Sequence, residues 1–338
     1  MRRLASVVVT LVCLGVLLKV ANFHNLVAII LSANIVLVLA AVLLRAADRL
    51  VMIAKWFPLL RVQLPKVTFI TAARAYIASG IAHYLLPVSV GADVVRATTL
   101  GRNEQSIPGV SASIIAERLL GMAATGCLCL VALFVAMRAS IDVTFLFPWA
   151  LLAITLGLLA LLAPLVGPFA EPVLRWLGRF RHRQAAGFLE RLAIAYRAYR
   201  NHGGLLIRVG LISLAEQLFP VIIAGTVALS LGIPVTLPML VVAVPLALFA
   251  ARLPVSIAGI GIAEGAMVYL LGLFGVPVEQ ALALSLVTRA VDILVVAVPG
   301  ALLWKNLLGL HEAAEAATRT GGAASPMGSV SGTTPKTA

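Results

Sequence analysis

Leu86-Pro87-Val88-Ser89-Val90-Gly91-Ala92-Asp93-Val94-Val95-Arg96 and Leu253-Pro254-Val255-Ser256-Ile257-Ala258-Gly259-Ile260-Gly261-Ile262-Ala263-Glu264 decide how this chain is read. Each copy interrupts an apolar run with Pro-Val-Ser, then glycine, then a charged residue. Proline removes a backbone donor and glycine loosens a helix, so both stretches are expected to break helical structure. In a chain this apolar the breaks fall at membrane depth. Freed backbone groups are tolerated there only when buried in protein or lining a wet cavity. Paired interruptions in the two halves of a chain point to a transporter-type binding site built on a repeat.

Working outward, composition sets the class. Hydrophobic residues make up 62% of the chain and charged ones 12%, against about 25% charged in soluble domains, and the mean hydropathy is +1.07. The expected fold is an all-α polytopic membrane protein. Its 338 residues have room for about eight transmembrane helices of about 20 residues, plus the two broken or re-entrant segments. The membrane domain is expected over 1–305, followed by a short polar tail over 306–338. That tail is rich in Gly, Ala, Ser and Thr and lacks an apolar face, so disorder is expected there.

The net charge of +13 would suit nucleic acid, but its distribution does not. Arg45, Arg49, Lys55, Arg61 and Lys66 stand against Asp48 in one stretch. Seven arginines between 171 and 204 stand against Glu171 and Glu190 in another. Such clustering between spans is what the positive-inside rule produces, so both stretches and the N-terminus are expected on the cytoplasmic side. Membrane lipids, not nucleic acid, are the expected partners, and a bacterial cytoplasmic (inner) membrane is the expected location. Cys13, Cys127 and Cys129 lie in apolar segments and read as buried fillers. His24, His83, His182, His202 and His311 have no ligand spacing, so neither a metal nor another cofactor is expected.

Spans are expected at about 4–22, 26–44, 109–137, 145–168, 205–231, 236–253 and 280–304, with a moderately amphipathic helix at 67–86. The broken segments fall at 87–100 and 254–275. Residues 171–200 alternate basic and apolar positions as a helix lying on a leaflet does, or one packed on its own protein. If both basic stretches face inward, an even number of crossings separates them. On that count the helices preceding the two breaks run in opposite directions, which makes the motifs an inverted repeat.

Ionisable residues in the bilayer cost several kcal/mol and face a cavity or a partner. Here they are Asp93, Arg96, Glu117, Arg118, Glu216, Glu264, Arg289 and Asp292. Arg289 and Asp292, three apart, are spaced to neutralise each other, whereas Arg96 and Arg118 have no such obvious local partner. Arginine's planar fork suits phosphate, and backbone N–H groups exposed at Gly91, Gly259 and Gly261 favour anions. Two roles suit Glu117, Glu216 and Glu264: counter-charge and proton carrier. Ser89 and Ser256 have no histidine nearby, and no G-x-S-x-G, H-E-x-x-H or P-loop occurs, so enzymatic catalysis is not expected.

The full pattern resembles a known family. Pro87-x-Ser89-x-Gly91-Ala92-Asp93-x-x-Arg96, then Glu117-Arg118, then Pro254-x-Ser256-x-x-Gly259-x-Gly261-x-x-Glu264 and a later Arg289 are similar to the flippase-like membrane domain of lysylphosphatidylglycerol synthases and their stand-alone relatives. The likeness spans about residues 5–305. Ala92 departs from the family's usual second glycine. The resemblance implies lipid translocation between leaflets. It does not imply lysyl transfer, since a soluble aminoacyl-transferase domain has no room here.

The expected function is therefore a lipid translocase, or a lipid-binding membrane protein, acting on an anionic or glycosylated headgroup. The alternatives are a membrane-embedded transferase and an accessory subunit partnered with a lipid-biosynthesis enzyme. The substrate-binding set is expected to include Ser89, Gly91, Asp93, Arg96, Glu117, Arg118, Ser256, Gly259, Gly261, Glu264, Arg289 and Asp292, with Pro87 and Pro254 breaking the helices. Arg96, Arg118 and Arg289 are expected to converge on one cavity with Asp93 and Glu264.

Overall fold

A computed structural model describes residues 21–85, 91–104, 106–138, 197–251 and 259–321, with a few isolated positions besides. The predicted spans at 4–22 and 145–168 lie largely outside the described residues, as does most of the 171–200 stretch. So do Pro87, Ser89, Pro254 and Ser256, and with them the test of an inverted repeat.

The described chain is helical: α1 Phe23–Leu31, α2 Ile35–Gln63, α3 Phe69–Leu85, α4 Gly91–Asn103, α5 Ile107–Arg138, α6 Gly203–Glu216, α7 Leu218–Ser230, α8 Leu237–Ala251, α9 Ile262–Gly272 and α10 Val278–Gly321. Among the described residues three stretches are long and apolar enough to cross a membrane: Ile107–Arg138, Gly203–Ser230 and Val278–Leu303. The α1–α2 pair, bent by 83°, makes a fourth if it is one span. Buried residues fill only 44% of the most apolar window, that of α5. Val131 and Phe134 on α5, Ile222 and Leu229 on α7, and Leu294 and Leu302 on α10 point outward. Apolar side chains on both the inner and outer surfaces identify an integral membrane protein.

Several elements differ from their predicted form. The span expected at 26–44 is cut at Ser32–Asn34, where side chains compete with the helix ladder. Asn22 caps α1 by accepting from the His24 and Asn25 N–H groups, and Asn34 caps α2 by accepting from Val36 N–H. The Asn34 N–H in turn donates to Ser230 O at the end of α7, 2.8 Å away. Beyond the cut, α2 runs on to Gln63, through most of the basic stretch expected to lie between spans. Its charges at 45, 48, 49 and 55 turn into the protein and pair there, so the helix has no reason to end. Each predicted broken segment is shorter than expected, because regular helix resumes at Gly91 and at Ile262. The last helix continues to Gly321, past the point where the polar tail begins, and 322–338 lie outside the described residues.

The helices pack in neighbouring pairs: α3 with α10, α8 with α9, α7 with α2, α8 with α5, and α4 with both α3 and α5. Small residues permit this, since membrane helices gain little from hydrophobicity alone and associate by close packing. A Cβ on Gly300 would stand 2.8 Å from Ile81 N and 2.9 Å from Ile77 O, so α3 and α10 touch backbone to backbone. The main core includes Ala132, Val227, Val242, Ala281 and Leu284. A second cluster, with Trp56, Leu60, Ala72, Leu100, Val110 and Ile114, lies beneath the first motif.

Candidate functional site

The first motif opens α4, placing Asp93 in its first turn and Arg96 one turn later. This spacing lets Arg96 Nη2 donate to Asp93 Oδ1 at 3.3 Å while it also reaches Glu117 Oε2 on α5 at 3.0 Å. The Arg96 guanidinium lies over two aromatic rings, 4.4 Å from the centroid of Trp56 and 4.6 Å from that of Tyr76. A desolvated cation between two π faces is held by their quadrupoles as well as by carboxylates. Trp56 is fixed in turn, because its Nε1–H donates to Ser113 Oγ at 3.0 Å.

Arg118 is placed differently. Its Nε lies 2.7 Å from Asp93 Oδ2, yet its side chain keeps 51% exposure on the most apolar described span. Asp93 is therefore shared, one oxygen to the caged Arg96 and the other to the half-open Arg118. Ala92 sits in regular helix, where alanine outperforms glycine, so its departure from the family pattern carries no backbone cost. Arg96 and Arg118, which have no obvious local partner in the sequence, are paired here with Asp93 and Glu117.

The second motif builds a different object. Gly259 and Gly261 adopt φ of +70° and +86°, which a side chain rarely tolerates. A Cβ at Gly259 would also meet Ala251 O at 2.9 Å. Glu264, fully buried, accepts from Gly261 N–H at 2.6 Å and from Arg289 Nε at 2.8 Å. The carboxylate thus holds the start of α9 and ties it to α10.

Arg289 and Asp292 lie within electrostatic reach of each other, and each also takes a partner from another helix. Arg289 goes to Glu264, and Asp292 accepts from Arg45 Nε at 2.7 Å, from Arg49 Nη2 at 3.4 Å and from the Tyr84 hydroxyl. On the long helix α10 these two side chains take partners from different helices, which intrahelical spacing alone does not reveal. Arg45 also reaches Asp48, at 3.0 Å. Lys55 pairs with Glu216 inside the bundle, beside Ser213.

The described charged residues of the predicted set thus fall into separate clusters. Arg49 and the Tyr76 hydroxyl both contact Met52 Sδ, which links the Asp292 cluster to the Arg96 cage. Arg289 lies within electrostatic reach of Asp292 and Tyr84. Sequence reading missed Arg45, Arg49, Lys55, Trp56, Tyr76 and Tyr84. The i, i+3, i+4 spacing of Arg45, Asp48 and Arg49 was the available signal, since it lines one helix face. Among the described residues no group of three or more His, Cys, Asp or Glu side chains gathers as a metal site.

The end of the first basic stretch meets the described end of the second, residues 197–204. Pro58, Arg61, Val62 and Pro65 line a groove together with His202 and Leu205, and the buried Tyr199 donates to Leu59 O at 2.8 Å.

Neither a curated protein nor a solved structure matches the chain. A family model described as lysylphosphatidylglycerol synthase TM region matches residues 3–300. With the membrane helices, the two motifs and the paired charges in place, the chain belongs to the lysylphosphatidylglycerol synthase TM region family.

Proposed function

We propose that this protein is a non-enzymatic lipid translocase that moves a phospholipid-type lipid with an anionic or glycosylated headgroup between leaflets. The observation that carries this reading is Arg118, whose side chain is half exposed on a span otherwise suited to hydrocarbon and whose Nε is held by Asp93. A charge so placed is costly unless it meets water or an anionic group. A lipid phosphate satisfies it bidentately. The caged Arg96 behind Asp93 keeps the surrounding charge fixed while Arg118 engages the headgroup. The proposed setting is a bacterial cytoplasmic membrane, with the groove of the two basic stretches facing the cytoplasm. Membrane lipids are the proposed partners, together with an enzyme of lipid biosynthesis that supplies the substrate.

The test is leaflet exchange in proteoliposomes against a panel of labelled anionic, zwitterionic and glycosylated lipids. Arg118→Lys keeps the charge but loses the fork, and a charge-assisted hydrogen bond is worth roughly 1.5–3 kcal/mol, so exchange should fall about tenfold or more. Its melting temperature in detergent should stay at the parental value. Parental exchange rates in Arg118→Lys would place the site elsewhere.

A further inference from the structure

Asp93 bridges two arginines of unequal freedom, and Glu117 already occupies the more buried one. Arg96, Arg118, Asp93 and Glu117 together carry two positive and two negative charges. Tyr76 on α3 faces the same cluster, within electrostatic reach of Glu117, Arg96, Arg118 and Arg49. Among the described residues the wider set of ion pairs is balanced too: Arg45, Arg49, Lys55, Arg96, Arg118 and Arg289 against Asp48, Asp93, Glu117, Glu216, Glu264 and Asp292. A phosphodiester that takes the Nε–Nη edge of Arg118 displaces Asp93 from Nε. Asp93 then shares the single guanidinium of Arg96 with Glu117. Two carboxylates in a dry site on one cation do not both stay ionised.

We propose that Arg118–Asp93 is an exchangeable pair, in which a monoanionic phosphodiester replaces the Asp93 carboxylate on Arg118 and the displaced carboxylate takes up one proton from water. The phosphodiester stays a monoanion throughout, so one negative charge and one proton enter together and the site remains neutral. The exchange rests on the translocase reading above and adds its coupling: one proton for each anionic headgroup. Arg118 is the headgroup ligand, Asp93 the exchanged counter-charge, and Arg96 the positioning residue that keeps the displaced carboxylate in place.

The experiment titrates the full chain in phosphatidylcholine nanodiscs with dihexanoyl phosphatidylglycerol, whose phosphodiester does not titrate near neutrality. Calorimetry in two buffers of different ionisation enthalpy counts protons, with Arg118→Ala as the blank for non-specific partitioning. Wild type should take up about one proton per probe bound, and affinity should rise about tenfold for each pH unit lowered while that proton is taken up. Asp93→Asn and Glu117→Gln each remove one negative charge, so each should bind the probe with no proton uptake and little pH dependence. A folded Asp93→Asn that still takes up a full proton overturns the exchange. If both variants fail to fold, the wild-type count decides, since saturable binding without proton uptake refutes the exchange and leaves the translocase reading standing. No saturable binding by a folded wild type refutes the headgroup site itself.

Discussion

Arg96 and Arg118 share one carboxylate, yet a lysine at each should fail in different ways. Arg96 spreads its charge against two rings, its Cζ 4.4 Å and 4.6 Å from the centroids of Trp56 and Tyr76. A compact ammonium would keep one carboxylate and lose much of that contact. Arg96→Lys should therefore lower stability by about 1–2 kcal/mol, read as a lower melting temperature in detergent. An unchanged melting temperature would mean that the cage contributes nothing. At this scale the sequence marked Asp93, Arg96, Glu117 and Arg118 but not their partners. Trp56 and Tyr76 reach Arg96 from two other helices, and nothing in local spacing signals a contact of that kind. Glu264 was legible as important and illegible as to role, because its partners are a backbone N–H in its own turn and an arginine on the next helix.

Between elements, the glycines separate close approach from empty space. Gly300 meets the backbone of α3, which has no rotamer with which to yield, whereas a Cβ on Gly210 of α6 finds only Leu120 Cδ2, at 3.8 Å. Gly300→Ala should push α3 and α10 apart and cost about 1–3 kcal/mol. Gly210→Ala should leave stability unchanged or raise it by up to about 1 kcal/mol through helix propensity. Thermal unfolding in detergent checks both, and equal effects would contradict the backbone contact seen here. Among the described residues, helix positions from residue 67 onward were mostly readable from apolar runs and glycine–proline punctuation. The α2 boundary was not. Charges at positions 45–55 look like a loop in one dimension and become a buried seam once α10 and α6 supply Asp292 and Glu216.

For the whole molecule, the groove shared by Arg61 and His202 fixes two distant stretches at the same end. Cysteines at the exposed Lys66 and His202, in a background lacking native cysteines, should therefore give the same answer. Both should resist an impermeant thiol reagent outside intact cells and react in inverted vesicles. Labelling of one but not the other would contradict the shared end, and outside labelling of both would reverse the proposed orientation. Lys55 is unsuited to this purpose because it is buried against Glu216. The membrane class was plain from hydropathy, while the number of crossings was not, since several described helices are short and one candidate span is bent by 83°.

The pairing of α2 with α10 also sets a timetable for biogenesis. Arg45 precedes its partner Asp292 by 247 residues. At roughly 5–20 residues per second, synthesis delivers that counter-charge about 12–50 s after the arginine. Through that interval a helix carrying Arg45, Arg49 and Lys55 lies beside the translocation machinery with Asp48 as its own acid, gaining Glu216 and only later Asp292, and the bilayer alone would not retain it readily. Emerging chains halted before residue 292 should therefore stay crosslinked to the insertion machinery and be degraded when released. Chains extended past residue 303 should leave it. Equal release at both lengths would show that α2 settles in lipid without α10.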